Sequence, residues 1–216
     1  MTHAIICSGK SRSFPAGDAF RQSGGEQAAA EVLVLLGQPR YRPDPVRVAI
    51  LIELGTECLG VHTGEASGEE GSNAVGFARY RNGDDPPSPL VELVRQNRTD
   101  PLALQAARAV FEAAGLTVVE CADQAGRIVD RLVRPKYNAA LRFLDEGLAT
   151  AADMDLTCRM GLGYADGPIE RVVRGGLAAH YDVTRALFET YGTAAYAPAR
   201  RAVVSAQRRD REDGAQ

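Results

Sequence analysis

Between Ala4 and Ala122 the chain carries six short runs rich in Val, Ile and Leu, and beyond Asp123 its apolar residues fall at helical spacing instead. That change of period constrains the fold more than any other feature. The runs are AIIC (4–7), VLVLL (32–36), RVAILIEL (47–54), NAVGFARY (73–80), PLVELV (89–94) and LTVVECA (116–122). Several are continuously apolar, as expected of strands covered on both faces in a mainly parallel sheet. Turn-rich text such as TGEASGEEGSN and RNGDDPPSP separates them. One helix interrupts, predicted from a Thr99 N-cap and Pro101 through LALQAARAVFEAAG, with Gly115 as its stop.

After Gly126 the residues Ile128, Leu132, Val133, Tyr137, Ala140, Leu141, Leu144 and Leu148 predict one long helix, kinked at Pro135. Thr150 and Asp153 form a capping-box pattern for a second helix ending near Gly161. Pro168 opens a third, and Leu177 to Tyr191, closed by Gly192, a fourth. The expected fold is therefore α/β plus all-α: a truncated Rossmann-like domain over 1–122, a helical domain over 123–206, and a disordered tail over 207–216. The basic residues near Ala199 to Arg211 interleave with acids in RRDRED and read as a solvated, fraying end.

A length of 216 residues suits one large or two small domains, and a net charge of −3 gives no sign of a nucleic-acid partner. The longest apolar run, VAILIEL, is too short to cross a bilayer, and MTHAIICSGKSRS lacks the order of a signal peptide. Cys7, Cys58, Cys121 and Cys158 are widely spaced, with no CxxC, and the three histidines form no HExxH. Reduced thiols in a cytoplasm, with no zinc or other metal site, are the expectation.

Two motifs invite a nucleotide. GLGYAD at 161–166 approximates GxGxxG, but such a loop must leave a strand, and the preceding TAADMDLTCRM is helical in pattern. IICSGKSRS ends a strand in Gly-Lys-Ser, but the glycine a phosphate loop needs at position 4 is Ala4. Neither predicts a bound cofactor.

The text from Gly126 to Leu177, with Asn138-Ala-Ala, Glu146-Gly, Asp153-Met-Asp, Gly161-Leu-Gly-Tyr and Gly167-Pro all in register, resembles the C-terminal domain of 3-hydroxyacyl-CoA dehydrogenases. Upstream, VGFARYRN (75–82) and LVELV (90–94) resemble that family's HFFNP and LVEVV segments. A shortened sheet before the helical domain is similar to the second half of the family's two-part members in fatty-acid and phenylacetate degradation.

The resemblance implies a histidine that takes the 3-hydroxyl proton as hydride leaves for NAD, and a glutamate that orients it. Ala78 stands in the histidine's place, Glu92 in the glutamate's, and Asp130 in that of the family asparagine. A base must titrate near working pH and reach the hydroxyl, which an alanine does not. His62, at a strand end in LGVHTGE, is either a loop histidine or a relocated base with Glu65 or Glu92.

The reading implied is a degenerate family member that has lost the NAD loop and catalytic histidine and serves as a dimerising or acyl-CoA-site module. Its helical domain would form a homodimer, and an acyl-CoA would lie in the cleft near Glu92, Asp130 and Asn138. The alternatives are an active NAD-dependent L-3-hydroxyacyl-CoA dehydrogenase with a rearranged site, with NAD as its cofactor, and a scaffold subunit of a companion dehydrogenase.

Overall fold

The computed structural model describes residues 1–37 and 40–215. Six strands form one sheet: β1 (His3–Cys7), β2 (Val32–Leu36), β3 (Ala49–Glu53), β4 (Ala74–Arg79), β5 (Leu90–Arg95) and β6 (Thr117–Ala122). They lie side by side in sequence order, and every pairing is parallel except the antiparallel β4–β5 pair. Each strand overlaps the apolar run that predicts it.

Both faces of the sheet are covered, which explains the uninterrupted runs. On one face Val32, Val34, Leu36, Leu51, Phe77 and Leu93 meet α2 (Pro101–Ala113) through Ala103, Ala107, Val110 and Phe111. On the other, Leu33, Leu35, Ile50, Ile52 and Val94 pack with Leu59 and Tyr41. The β1–β2 crossover holds only a short 3-10 turn, Ala19–Gln22, and covers the sheet with aromatic rings instead of a helix. Phe14 stacks on Phe20 at 4.4 Å and lies 6.0 Å from Phe111, which sits 5.0 Å from Phe77. The cap of α2 is Asp100, which accepts from Leu102 N, rather than Thr99. Pro101 directly after Asp100 sets the first helical φ and places the cap there.

The second unit is helical: α3 (Val129–Asp145), α4 (Ala151–Leu162), α5 (Pro168–Arg174), α6 (Leu177–Tyr191) and α7 (Arg200–Asp213). A single turn, α1 (Gly60–Thr63), belongs to the sheet unit. Thr150 caps α4 by accepting from Asp153 N, and α3 runs through Pro135. GLGYAD is the end of α4. Gly163 adopts the left-handed region at φ 68° and returns its N–H to Cys158 O. Asp155 then accepts from Ile169 N at 2.8 Å and Glu170 N at 3.0 Å, capping α5, whose own Gly167 has no side chain to do so. A Cβ on Gly167 would stand 2.2 Å from Asp155 Cβ, so glycine is required there.

Two expected boundaries shift. The chain divides into Met1–Arg81 with Pro87–Ile128, and Asn82–Pro86 with Val129–Gln216. Residues 123–128 stay with the sheet because Asp123 accepts from Leu59 N and Gly60 N, and Gly126 N donates to Thr56 O. The tail expected over 207–216 is instead the last two turns of α7 as far as Asp213. Ala202 and Ala206 bury one narrow stripe of that helix, and Arg209 pairs with Asp182 of α6. No helix among the described residues is long and apolar enough to cross a membrane.

Candidate functional site

The antiparallel β4–β5 ladder sets Ala78 directly opposite Glu92. Cross-strand partners bring their Cβ atoms to about 5 Å, the separation at which a histidine at 78 would meet the carboxylate. Here the carboxylate is committed elsewhere. Glu92 is 3% exposed and accepts from Ile128 N at 2.7 Å, while Arg127 Nε stands 3.8 Å from its other oxygen.

Arg127 is a residue that the sequence reading passes over. It is buried, holds a φ of 49°, and donates from Nη2 to Gly55 O. A non-glycine in that region persists only where its surroundings over-determine it. The bonds from Gly126 N to Thr56 O and from Ile128 N to Glu92 bracket it on both sides. The signal was present in the text: a charged residue follows Gly126 in a segment otherwise apolar up to Val129.

The carboxyl-terminal ends of β1–β3 are where an open α/β sheet gathers phosphates, beside a reversal of strand order. Among the described strands the order does not reverse. A carboxylate of the chain itself fills the place. Glu53, at the end of β3, accepts from Ser11 Oγ and Ser13 N at 2.8 Å each and from Gly37 N at 2.7 Å. The donors of the SGKSRS loop thus converge on an internal anion. Gly37, at φ 66°, passes so close to Gly9 that a Cβ would come within 2.7 Å of its carbonyl.

His62 lies on α1, and its Nε2 meets Glu57 Oε1 at 3.2 Å, a partner other than the Glu65 or Glu92 expected for a relocated base. Burial would raise the Glu57 carboxyl, but His62 and the N–H groups of Gly55 and Glu57 outweigh it and hold the carboxyl at about 2. All four cysteines are free. Among the described residues no group of three His, Cys, Asp or Glu side chains is arranged to hold a metal.

In the helical unit the positions singled out as Asp130 and Asn138 belong to one buried polar chain. Asp130 Oδ1 receives Arg134 Nε at 2.9 Å and Nη2 at 2.8 Å, one turn along α3. Arg134 Nη1 lies 3.3 Å from His180 Nδ1, so Nδ1 accepts and Nε2 carries the proton toward Asn138 Oδ1 at 2.9 Å. Asn138 Nδ2 then donates to Thr184 Oγ1 at 2.7 Å and Ala195 O at 3.0 Å, and Thr184 Oγ1 donates to Tyr196 O at 2.8 Å. Every member from Asp130 to Thr184 is buried, and Asn138 has no exposed surface. Burial first, and then the Arg134 charge, push His180 down to about 3 against the pull of Asp130, so the ring is neutral. The arrangement fixes the packing of α3 on α6, and Asn138 spends its amide on protein partners.

The sequence profile of the 3-hydroxyacyl-CoA dehydrogenase C-terminal domain matches residues 126–216. A 3-hydroxybutyryl-CoA dehydrogenase of Mycobacterium tuberculosis is 35% identical over 116 residues, which are 52% of this chain and 40% of the relative. An L-carnitine dehydrogenase of Pseudomonas putida is 36% identical over 76 residues, 35% of this chain and 24% of the relative. The matches therefore span less than half the length of these relatives. In fold, the crystal structure of (S)-3-hydroxybutyryl-CoA dehydrogenase from Ralstonia eutropha superposes with a TM-score of 0.65 at 20% identity, over 81% of this chain and 64% of that one. The matched segment identifies residues 126–216 as a 3-hydroxyacyl-CoA dehydrogenase C-terminal domain, and the chain as a whole is similar in fold to dehydrogenases of that family.

Proposed function

We propose that the chain is a non-catalytic member of the family, one that retains the helical unit as a self-associating module of acyl-CoA metabolism. The observation that carries this reading is the Ala78–Glu92 pair. An alanine faces the carboxylate that would orient a catalytic imidazole, and Ile128 N and Arg127 occupy that carboxylate. Losing a general base costs about 10²- to 10⁴-fold in rate. The unreversed strand order and the Glu53-filled loop donors support the absence of an NAD site of the usual kind.

Self-association is supported by apolar side chains left in water on the helical unit. Leu132, Phe143 and Phe188 on α3 and α6, and Leu148 just past α3, are all exposed, and surplus apolar surface favours a partner. Light scattering at tens of micromolar should give a dimer, and a monomer would remove this part of the reading.

For the catalytic part, Ala78→His is the informative variant. It should leave acetoacetyl-CoA reduction by NADH undetectable, because the new imidazole would meet a carboxylate already engaged. Turnover appearing in this variant would show that the cofactor and substrate sites are intact and that the chain is a dehydrogenase short of one side chain.

A further inference from the structure

We infer that the outer side of α7 is a binding site for a diphosphate group. Its arginines line a groove of about 530 Å³ within the helical unit, together with Leu177 and Ala178 from the first turn of α6. Arg200 and Arg201 are held there by a single oxygen. Arg200 Nη2 and Arg201 Nε both donate to Asp145 Oδ1, at 2.9 and 2.6 Å. One carboxylate therefore fixes two guanidinium groups while engaging one donor of each, and each guanidinium has five. Arg209 is chelated by Asp182 at 2.6 and 3.1 Å and forms a rigid wall. Arg208 makes no ion pair among the described residues, although it lines the same groove.

Four guanidinium groups thus face the groove against one lining carboxylate, Glu212. Asp145, Asp182 and Asp210 hold three of these arginines and do not line the groove themselves, which leaves Arg208 and the remaining donors of Arg200 and Arg201 for an anion. Planar guanidinium forks match phosphate oxygens bidentately. The spacing selects the size of the anion. Arg201 and Arg208 stand seven residues apart, about 10 Å along a helix axis, more than one phosphate spans and within reach of a diphosphate gripped from both ends by long side chains. Leu177 and the 42%-exposed Val204 add apolar surface beside the arginines, suited to a flat base if the diphosphate belongs to a nucleotide.

The site is independent of Ala78 and Glu92 and does not rest on the proposed loss of catalysis. Calorimetric titration of the full chain at low ionic strength with inorganic pyrophosphate and with ADP tests it. Binding should weaken as salt is added and fall about tenfold in Arg208→Ala, the loss of hydrogen bonds to a charged group. Arg208 has no hydrogen-bond or ion-pair partner among the described residues, so its removal should leave the thermal midpoint unchanged and report on binding alone. Tighter binding of ADP than of pyrophosphate would assign the apolar surface to a base, and equal binding would assign the site to the diphosphate alone; both uphold it. Absence of heat with either ligand, or affinities unchanged in Arg208→Ala, would overturn it.

Discussion

Arg134→Leu should lower the unfolding free energy of the protein by about 3–5 kcal/mol, the usual cost of leaving a buried charge without its partner. Asp130 and Arg134 are 5% and 7% exposed at their side chains, so water cannot replace the lost cation. The same substitution removes the donor that keeps His180 Nδ1 an acceptor, and with it the order of the chain through Asn138 and Thr184. Urea titration measures the loss. Arg134→Leu with Asp130→Leu should recover a large part of it, since an apolar pair of similar volume replaces a buried ion pair at little cost. A single variant as stable as the parent would mean that the chain of bonds carries no weight.

The second large effect is in pH. An unfolded chain protonates His180 near 6.5, whereas the folded one does so only at about 3. The unfolded state therefore binds more protons throughout that interval, and stability, complete above 6.5, falls as pH drops through it. By pH 5 the loss from this one group amounts to roughly 2 kcal/mol. The structural reason is direct: a proton added at Nδ1 would point at the Arg134 guanidinium. His3, also lowered by burial, acts in the same interval, so the informative quantity is the difference from His180→Gln. That variant should show a flatter stability profile between pH 6.5 and 5. Parallel profiles would contradict a buried neutral ring.

The four central strands were legible because they bury both faces, so composition alone marks them; Val32–Leu36 is buried at every position. Helix ends with a glycine or proline at the cap, such as Gly192 and Pro168, were equally plain. The buried face of α3 was legible in part: Tyr137, Ala140 and Leu141 of the expected stripe are core residues, with Val133 and Leu144 packed against them. A search for apolar period places Leu132 inside and Arg134 outside, yet Leu132 is 70% exposed and Arg134 6%. The polar half of that face, Asp130, Arg134 and Asn138, leaves no hydropathic trace, because the partners that make its burial tolerable lie 42 to 46 residues away. α7 was hidden for a related reason. Its buried stripe consists of alanines, and the arginines around them read as solvated tail.

At the site, the departures at Ala78 and Asp130 were visible in the text, but their compensation was not. Asp130 is answered by Arg134 within α3, and Glu92 by Arg127 and the Ile128 amide across the sheet unit. Only the register of β4 on β5 reveals that Ala78 and Glu92 are opposite neighbours.

The central claim of the proposed function is that the chain lacks the cofactor site along with the base. Fluorescence titration of the unmodified protein with NADH tests it most directly, because binding precedes and does not require chemistry. The account predicts no saturable change in NADH emission up to hundreds of micromolar. A micromolar dissociation constant would contradict it and restore the chain to the working dehydrogenases.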